Sequence, residues 1–263
     1  MRHGVYVAAF GELCEPRVLA EQASLAESLG WDGFFLWDHL LWSQGTSVAD
    51  SWIALAGIAT LTERIKIGPL VTPLTRRRPQ LLARQSVTLD RLCGGRLILG
   101  VGLGVDHKRE LSGFGEIVDL KIRARRLDDG LKLISDLWSG EEVNHLSDSF
   151  LAQNVIFRPT PIQKPRIPIW IAGSTALAPL RRAVQWDGYF PIGLSPDQLR
   201  FQVEEIKKIR TESTNFDIVV MSRPTLNTTM WSDAGATWLL TTGGPDISVK
   251  ELNGIIRSGP PRK

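Results

Sequence analysis

Short, almost wholly apolar runs recur along the chain at residues 5–10, 33–37, 65–71, 96–101, 168–172, 188–192, 217–221 and 237–241. Runs of this length without polar alternation predict strands buried on both faces, as in a parallel sheet. Between them, apolar residues return at helical spacing over 16–29, 51–61, 79–92, 121–138, 179–186 and 196–211, with a last helix over 249–257. Alternation of strand and helix, with eight strands, predicts an α/β chain closed into a (β/α)8 TIM barrel. Pro16, Pro79, Pro179 and Pro196 fall where first helical turns begin, and Gly30 and Gly140 where helices stop, the expected asymmetry of these two residues.

Two stretches break the rhythm. Residues 140–167 include Pro159, Pro161 and Pro165, too many prolines for a helix, and predict a long crossing loop with room for a short hairpin. Only about a dozen residues separate Arg223 from Gly235, where a barrel needs a helix to return the chain to its base. The seventh helix is therefore expected to be shortened or missing, leaving apolar surface bare between the last two strands. The expected domain is a single barrel over 1–258, followed by a flexible tail at 259–263.

Composition narrows the function. A chain of 263 residues that is 43% hydrophobic can bury one large core, and no uninterrupted apolar run reaches the roughly 18 residues of a membrane span. With no recognisable leader peptide and two distant cysteines, Cys14 and Cys93, the expected location is the cytoplasm. A net charge of +3 without a long Lys/Arg run suits an anionic small ligand rather than nucleic acid. His3, His39, His107 and His145 form no metal-type spacing, so no metal site is expected. Nine tryptophans are many for this length; most are expected to be packing residues.

In β/α barrels reactive groups sit at the C-terminal ends of strands. The second strand ends in Trp37-Asp38-His39, with Trp42 close behind. A carboxylate beside an imidazole can tune proton transfer near neutral pH, and an indole can wall off a planar ligand; by spacing alone, Asp38 as a cap and His39 as a loop histidine are equally open. Gly68 and Pro69 interrupt the third strand before Thr72, marking a bulge, a close approach of backbone to ligand, or a simple kink. Arg76, Arg77 and Arg78 follow, as a solvated rim or an anion-steering group. The fourth strand ends Gly102-Leu103-Gly104, and the fifth ends Ala172-Gly173-Ser174-Thr175 just before a helix, which is either an anion site or an ordinary capped turn.

Taken in order, these strand ends resemble the luciferase-like monooxygenase family, especially members that use the deazaflavin coenzyme F-420. The resemblance spans nearly the whole chain. It is carried by Gly30-Trp31-Asp32-Gly33, Trp37-Asp38-His39, Val71-Thr72-Pro73-Leu74, Gly95-Arg96-Leu97 leading to Gly104, residues 123–130, Pro165 through Gly173, Trp186-Asp187-Gly188 and Gly259-Pro260-Pro261-Arg262.

What the resemblance implies is a flavin-type oxidoreductase of the bacterial luciferase-like barrel type, moving hydride between coenzyme F-420 and a small organic substrate. FMN is the alternative coenzyme, in a monooxygenase fed by a partner reductase, and a flavin-binding barrel without turnover is a third reading. The implied catalytic residues are His39, Asp38 and Trp42. Pro69, Leu70, Thr72, Gly102, Leu103, Gly104, Ala172, Gly173, Ser174 and Thr175 are implied to hold the coenzyme. A non-prolyl cis peptide bond is expected between Pro69 and Leu70, and family habit implies a homodimer. Sugar-phosphate dehydrogenases of the family carry an acid glutamate directly after the residue matching Gly104, where this chain has Val105. That departure argues against glucose-6-phosphate as substrate. Asp106 or Glu110 could take the place only if the loop turns inward.

Overall fold

A computed structural model describes residues 1–210, 215–224 and 228–261. Its first half runs β1 (Arg2–Val7), α1 (Pro16–Ser28), β2 (Gly33–Leu36), α2 (Ser51–Leu61), β3 (Lys66–Pro69), β4 (Thr72–Pro73), α3 (Pro79–Leu92), β5 (Leu99–Gly102) and α4 (Leu120–Trp138). The second half runs β6 (Glu142–Leu146), β7 (Leu151–Ile156), β8 (Ile169–Gly173), α5 (Leu177–Ala183), β9 (Gly188–Pro191), α6 (Pro196–Ile209), β10 (Asp217–Ser222), α7 (Thr229–Asp233), β11 (Trp238–Thr241) and α8 (Val249–Arg257).

All strands but β6 and β7 form one parallel sheet in the order β3-β2-β1-β11-β10-β9-β8-β5-β4. The third stave of the barrel is split. β3 pairs with β2, β4 pairs with β5, and a parallel bridge between Ile67 and Leu97 draws the two edges together. The chain changes course between the halves of this stave at a cis peptide bond joining Leu70 and Val71. The expected bond between Pro69 and Leu70 is thus one residue too early. Pro69 still belongs to the β3 ladder opposite Leu36, and the Leu70 amide donates to the Leu36 carbonyl at 2.7 Å, so the break falls only after Leu70.

Strand alternation sorts the apolar residues into two layers. Tyr6, Phe35, Leu70, Ile98, Trp170, Ala172, Phe190, Val219, Trp238 and Leu240 fill the barrel, while their neighbours pack outward against the helices. Gly188 makes room for this filling, since a Cβ there would lie 2.4 Å from Trp170 Cδ1. Helix starts are locally encoded: Asp50 and Asp119 cap α2 and α4, and Ser195 and Ser248 form capping boxes on α6 and α8, satisfying amides that have no partner in a first turn.

The first strand lies about three residues earlier than its apolar run predicts. Arg2 through Val5 pair with Trp238 through Thr241, whereas Ala8, Ala9 and Phe10 are buried beyond the end of the strand. The crossing loop holds an antiparallel hairpin of β6 and β7. His145 Nε2, 2.7 Å from Asp129 Oδ1, pins that hairpin to α4. Between β10 and β11 stands the five-residue helix α7; residues 225–227 of this connection lie outside the described residues. The bare apolar surface expected beside it is absent from the described residues. Ile218, Val220 and Leu239 are buried in the outer layer with Val203, Ala234, Leu252 and Ile256, and Trp231 of α7 packs against them. The predicted end of α6 at Thr211 and the last two residues of the expected tail also lie outside the described residues.

At the base of the barrel, Arg96 is buried and donates all five of its N–H groups. They go to the carbonyls of Ala59, Thr62, Ile65 and Cys93 and to Thr62 Oγ1, at 2.7–3.1 Å. Among the described residues no helix is long and apolar enough to cross a membrane.

Candidate active site at the barrel mouth

The residues singled out at the end of β2 come together with parts of the chain far away in sequence. Asp38 is buried, 3% exposed, and its carboxylate is fully engaged. It accepts from Thr72 Oγ1 at 2.8 Å, Trp52 Nε1 at 3.2 Å, and Arg77 Nη2 at 3.0 and 2.9 Å. Arg76 Nη2 donates to the Asp38 carbonyl at 2.9 Å and lies 3.5 Å from its Oδ1. Asp38 therefore anchors the mouth and does not touch the imidazole of its neighbour. Successive side chains of extended backbone point to opposite sides, so adjacency in sequence separates these two groups.

The carboxylate that meets His39 is Glu110. Its Oε2 lies 3.0 Å from His39 Nδ1, its Oε1 accepts from the Leu40 amide, and Arg76 Nη1 stands 3.1 Å from Oε1 without the alignment of a hydrogen bond. Burial pushes this carboxyl up, but the His39 hydrogen bond, the Leu40 amide and the charges of His39 and Arg76 together hold it below the usual glutamate range. The loop after β5 does turn inward. Asp106 accepts from the amides of Leu111 and Ser112 at 2.8 and 2.9 Å, and Lys108 and Arg109 take left-handed backbone angles of φ 51° and 65°. Asp106 is spent on this turn; Glu110 reaches the mouth.

Around His39 stands an aromatic wall. Its ring lies 5.9 Å from Phe10, 6.0 Å from Trp37 and 5.5 Å from Trp42. Trp42 stacks between Phe10 at 5.2 Å and His107 at 4.5 Å. Phe10 and His107 are contributors that sequence reasoning passed over. Only the apolar run ending at Phe10 hinted at the first, and nothing in the sequence hinted at the second.

The expected coenzyme residues divide into two groups. Pro69, Leu70, Thr72 and Ala172 are buried; Leu70 and Ala172 belong to the barrel filling, the Leu70 carbonyl accepts from Tyr6 Oη at 2.6 Å, and the Thr72 hydroxyl is committed to Asp38. The second group lies at the strand ends. Gly104 has φ +74°, and a Cβ there would lie 2.7 Å from Pro73 Cβ, so the turn needs glycine. Arg123 holds this turn by donating to the carbonyls of Leu103 and Gly104 at 3.2 and 2.9 Å, while Gly102 ends β5. Gly173 ends β8, and Ser174 and Thr175 are exposed ahead of α5; among the described residues only their carbonyls are bonded, to Tyr189 Oη at 3.4 Å and Gln202 Nε2 at 2.8 Å. Arg76 and Arg77 are neither a solvated rim nor anion-steering groups, because Asp38 and Glu110 absorb them.

A planar, polar-edged ring system fits the donor set of this mouth. Trp37, Val71 and Met221 lie partly exposed on the barrel filling, and the Trp37 indole N–H is buried without a partner. An orphaned buried donor is costly, and a heterocycle with carbonyl oxygens would supply the missing acceptor. No group of three or more potential metal ligands occurs among the described residues.

Comparisons with known proteins bear on the family and the fold. The chain is 33% identical over 168 residues to an F420-dependent glucose-6-phosphate dehydrogenase from Gordonia bronchialis, covering 62% of this chain and 49% of that protein. A second, from Amycolatopsis mediterranei, is 34% identical, covering 62% of this chain and 50% of its own length. The matched stretch thus spans about half the length of these curated relatives. In fold, the structure superposes on an F420-dependent secondary alcohol dehydrogenase with a TM-score of 0.85 at 16% identity, covering 100% and 99% of the two chains. It also superposes on the coenzyme F420 dependent tetrahydromethanopterin reductase of Methanopyrus kandleri, with a TM-score of 0.79 at 15% identity and coverage of 97% and 96%. The family model described as luciferase-like monooxygenase matches residues 4–234, and the chain belongs to that family.

Proposed function

We propose that this protein is an oxidoreductase that moves hydride between coenzyme F-420 and a small organic substrate at the barrel mouth, with His39 handling the accompanying proton. The observation that carries the reading is the imidazole held at the mouth by a buried carboxylate inside an aromatic wall. The two curated relatives named above are F420-dependent, which supports the deazaflavin over FMN.

When bound, the coenzyme supplies a two-electron hydride acceptor or donor. Trp37, Val71 and Met221 would offer its ring an apolar surface, with the Trp37 N–H as a donor. Backbone around Gly104 and the turn of Gly173 with the exposed Ser174 and Thr175 would hold its anionic chain. When hydride leaves a carbon bearing O–H or N–H, the heteroatom must lose its proton, and His39 Nε2 takes it; in the reverse direction the imidazolium returns it. Such general acid–base help is worth about 100- to 10,000-fold in rate. Val105 stands where sugar-phosphate dehydrogenases of the family carry an acid glutamate, and Glu110, though it reaches the mouth, is committed to His39, Leu40 and Arg76; together these argue against glucose-6-phosphate as substrate.

Titration with F-420 and with FMN, followed by absorbance, tests the coenzyme; failure of both to bind at low salt removes the reading. Replacing His39 with Ala is expected to lower turnover at least about 100-fold with coenzyme affinity nearly kept. Near-normal turnover at saturating coenzyme rules out the proton role.

A further inference from the structure

We propose that Glu110 is a positioning residue that fixes the hydrogen of His39 on Nδ1 and thereby leaves Nε2 as the nitrogen that exchanges protons. This rests on the reading of His39 as the proton carrier.

Glu110 is 1% exposed, so its carboxylate cannot itself reach a substrate. An ionised carboxylate has only acceptor positions. Its partners are arranged for that state: the Leu40 amide donates to Oε1, Arg76 stands beside the same oxygen, and only Oε2 is left for His39. The hydrogen bond of 3.0 Å between Oε2 and Nδ1 therefore requires Nδ1 to be the donor. A neutral imidazole carries one hydrogen, so Nε2 must hold the lone pair. Phe10, Trp37 and Trp42 meanwhile restrict the plane in which the ring can lie.

Asp38, the carboxylate next to the imidazole in sequence, is saturated by Thr72, Trp52 and Arg77 and cannot take over this task. The other ionisable groups facing the pair are Arg76, behind Glu110, and His107, beyond Trp42. Neither offers an acceptor to Nδ1 in this arrangement. The loop that delivers Glu110 is itself tied by Asp106 and by two non-glycine residues in left-handed conformations. A backbone held in sparsely populated regions persists only where its surroundings enforce it, and here the result is the placement of one carboxylate.

The test is read first on the protein without coenzyme, labelled with 15N-histidine, with the His39 signals assigned by their loss in His39→Ala. In the wild type, neutral His39 is expected to show a protonated Nδ1 and a bare Nε2. In Glu110→Gln the amide can donate as well as accept, so this preference is lost and both nitrogen signals shift. Turnover is expected to fall about tenfold or more, with the KM for coenzyme changed less than threefold. Glu110→Asp keeps the charge one methylene further back, and recovers part of both losses. Unchanged His39 nitrogen signals in folded Glu110→Gln overturn the proposal; should that variant not fold, unchanged signals in Glu110→Asp do so. Normal turnover of His39→Ala alongside shifted signals in Glu110→Gln leaves the positioning intact and removes the proton role instead.

Discussion

At the end of β2 both ionisable side chains are engaged by others, and the Trp37 N–H is left over. Asp38 is held by Thr72, Trp52 and two arginines, and His39 by Glu110. At the end of β8, on the other side of the mouth, Ser174 and Thr175 are exposed and their hydroxyls make no hydrogen bond to the described residues. The first region settles its geometry before any ligand arrives, through buried charges that cannot be left alone. The second leaves donors in water, which satisfies them until something anionic displaces it. A site that must place a proton within a few tenths of an ångström needs the first kind of construction, whereas holding a flexible charged chain needs only the second.

Substitutions at the two ends should therefore differ in kind. The largest effect is expected from Asp38→Asn, which leaves two arginine side chains short of a buried counter-charge. Breaking such a pair costs about 3–5 kcal/mol, with the lower end expected because Arg77 keeps some access to solvent. Urea unfolding reads this directly, and a loss under about 1 kcal/mol would mean that the β2 end is no more locked than the β8 end. A smaller effect is expected from Gly104→Ala, which sits between the two regions. Its left-handed backbone and the crowding against Pro73 should cost about 1–3 kcal/mol, measured the same way; no loss would show that the turn relaxes freely. The smallest change in stability, within about 0.5 kcal/mol, is expected from replacing both Ser174 and Thr175 with Ala. There the readout is coenzyme affinity, weakened by the loss of two hydroxyl donors. Unchanged affinity would show that the turn does not hold the coenzyme.

Much of the barrel was legible because buried parallel strands cannot be disguised. The apolar runs at 33–37 and 188–192 became β2 and β9 within a residue. The first run misled because Ala8, Ala9 and Phe10 are apolar for a different reason: Phe10 walls the mouth against Trp37 and Trp42, and hydrophobicity does not distinguish walling from pairing. In the site, His39 and Trp42 stood out because their neighbours in sequence announce a strand end. Glu110 was named only as a conditional substitute, because it arrives through Lys108 and Arg109 in conformations usually reserved for glycine, so no residue type betrayed the turn. One signal was present: Asp106 is placed to accept from the amides of Leu111 and Ser112, a local closure of the kind that Asp favours in turns. Arg76 and Arg77 were misjudged for a related reason, since a run of three arginines looks exposed until the carboxylates that consume it are known.

Arg96, at the opposite end of the strands, has a bearing on how far the rest of the sequence can drift. Four of its five acceptors are main-chain carbonyls, those of Ala59, Thr62, Ile65 and Cys93, and only Thr62 adds a side chain. A cation held by backbone depends on the path of the chain and not on which residues line it. Positions 59, 65 and 93 can change identity without unfastening it, while Arg96 itself cannot become lysine, whose three donors are too few for five acceptors. One residue thus carries the constraint for a whole rim, and its neighbours are free to vary.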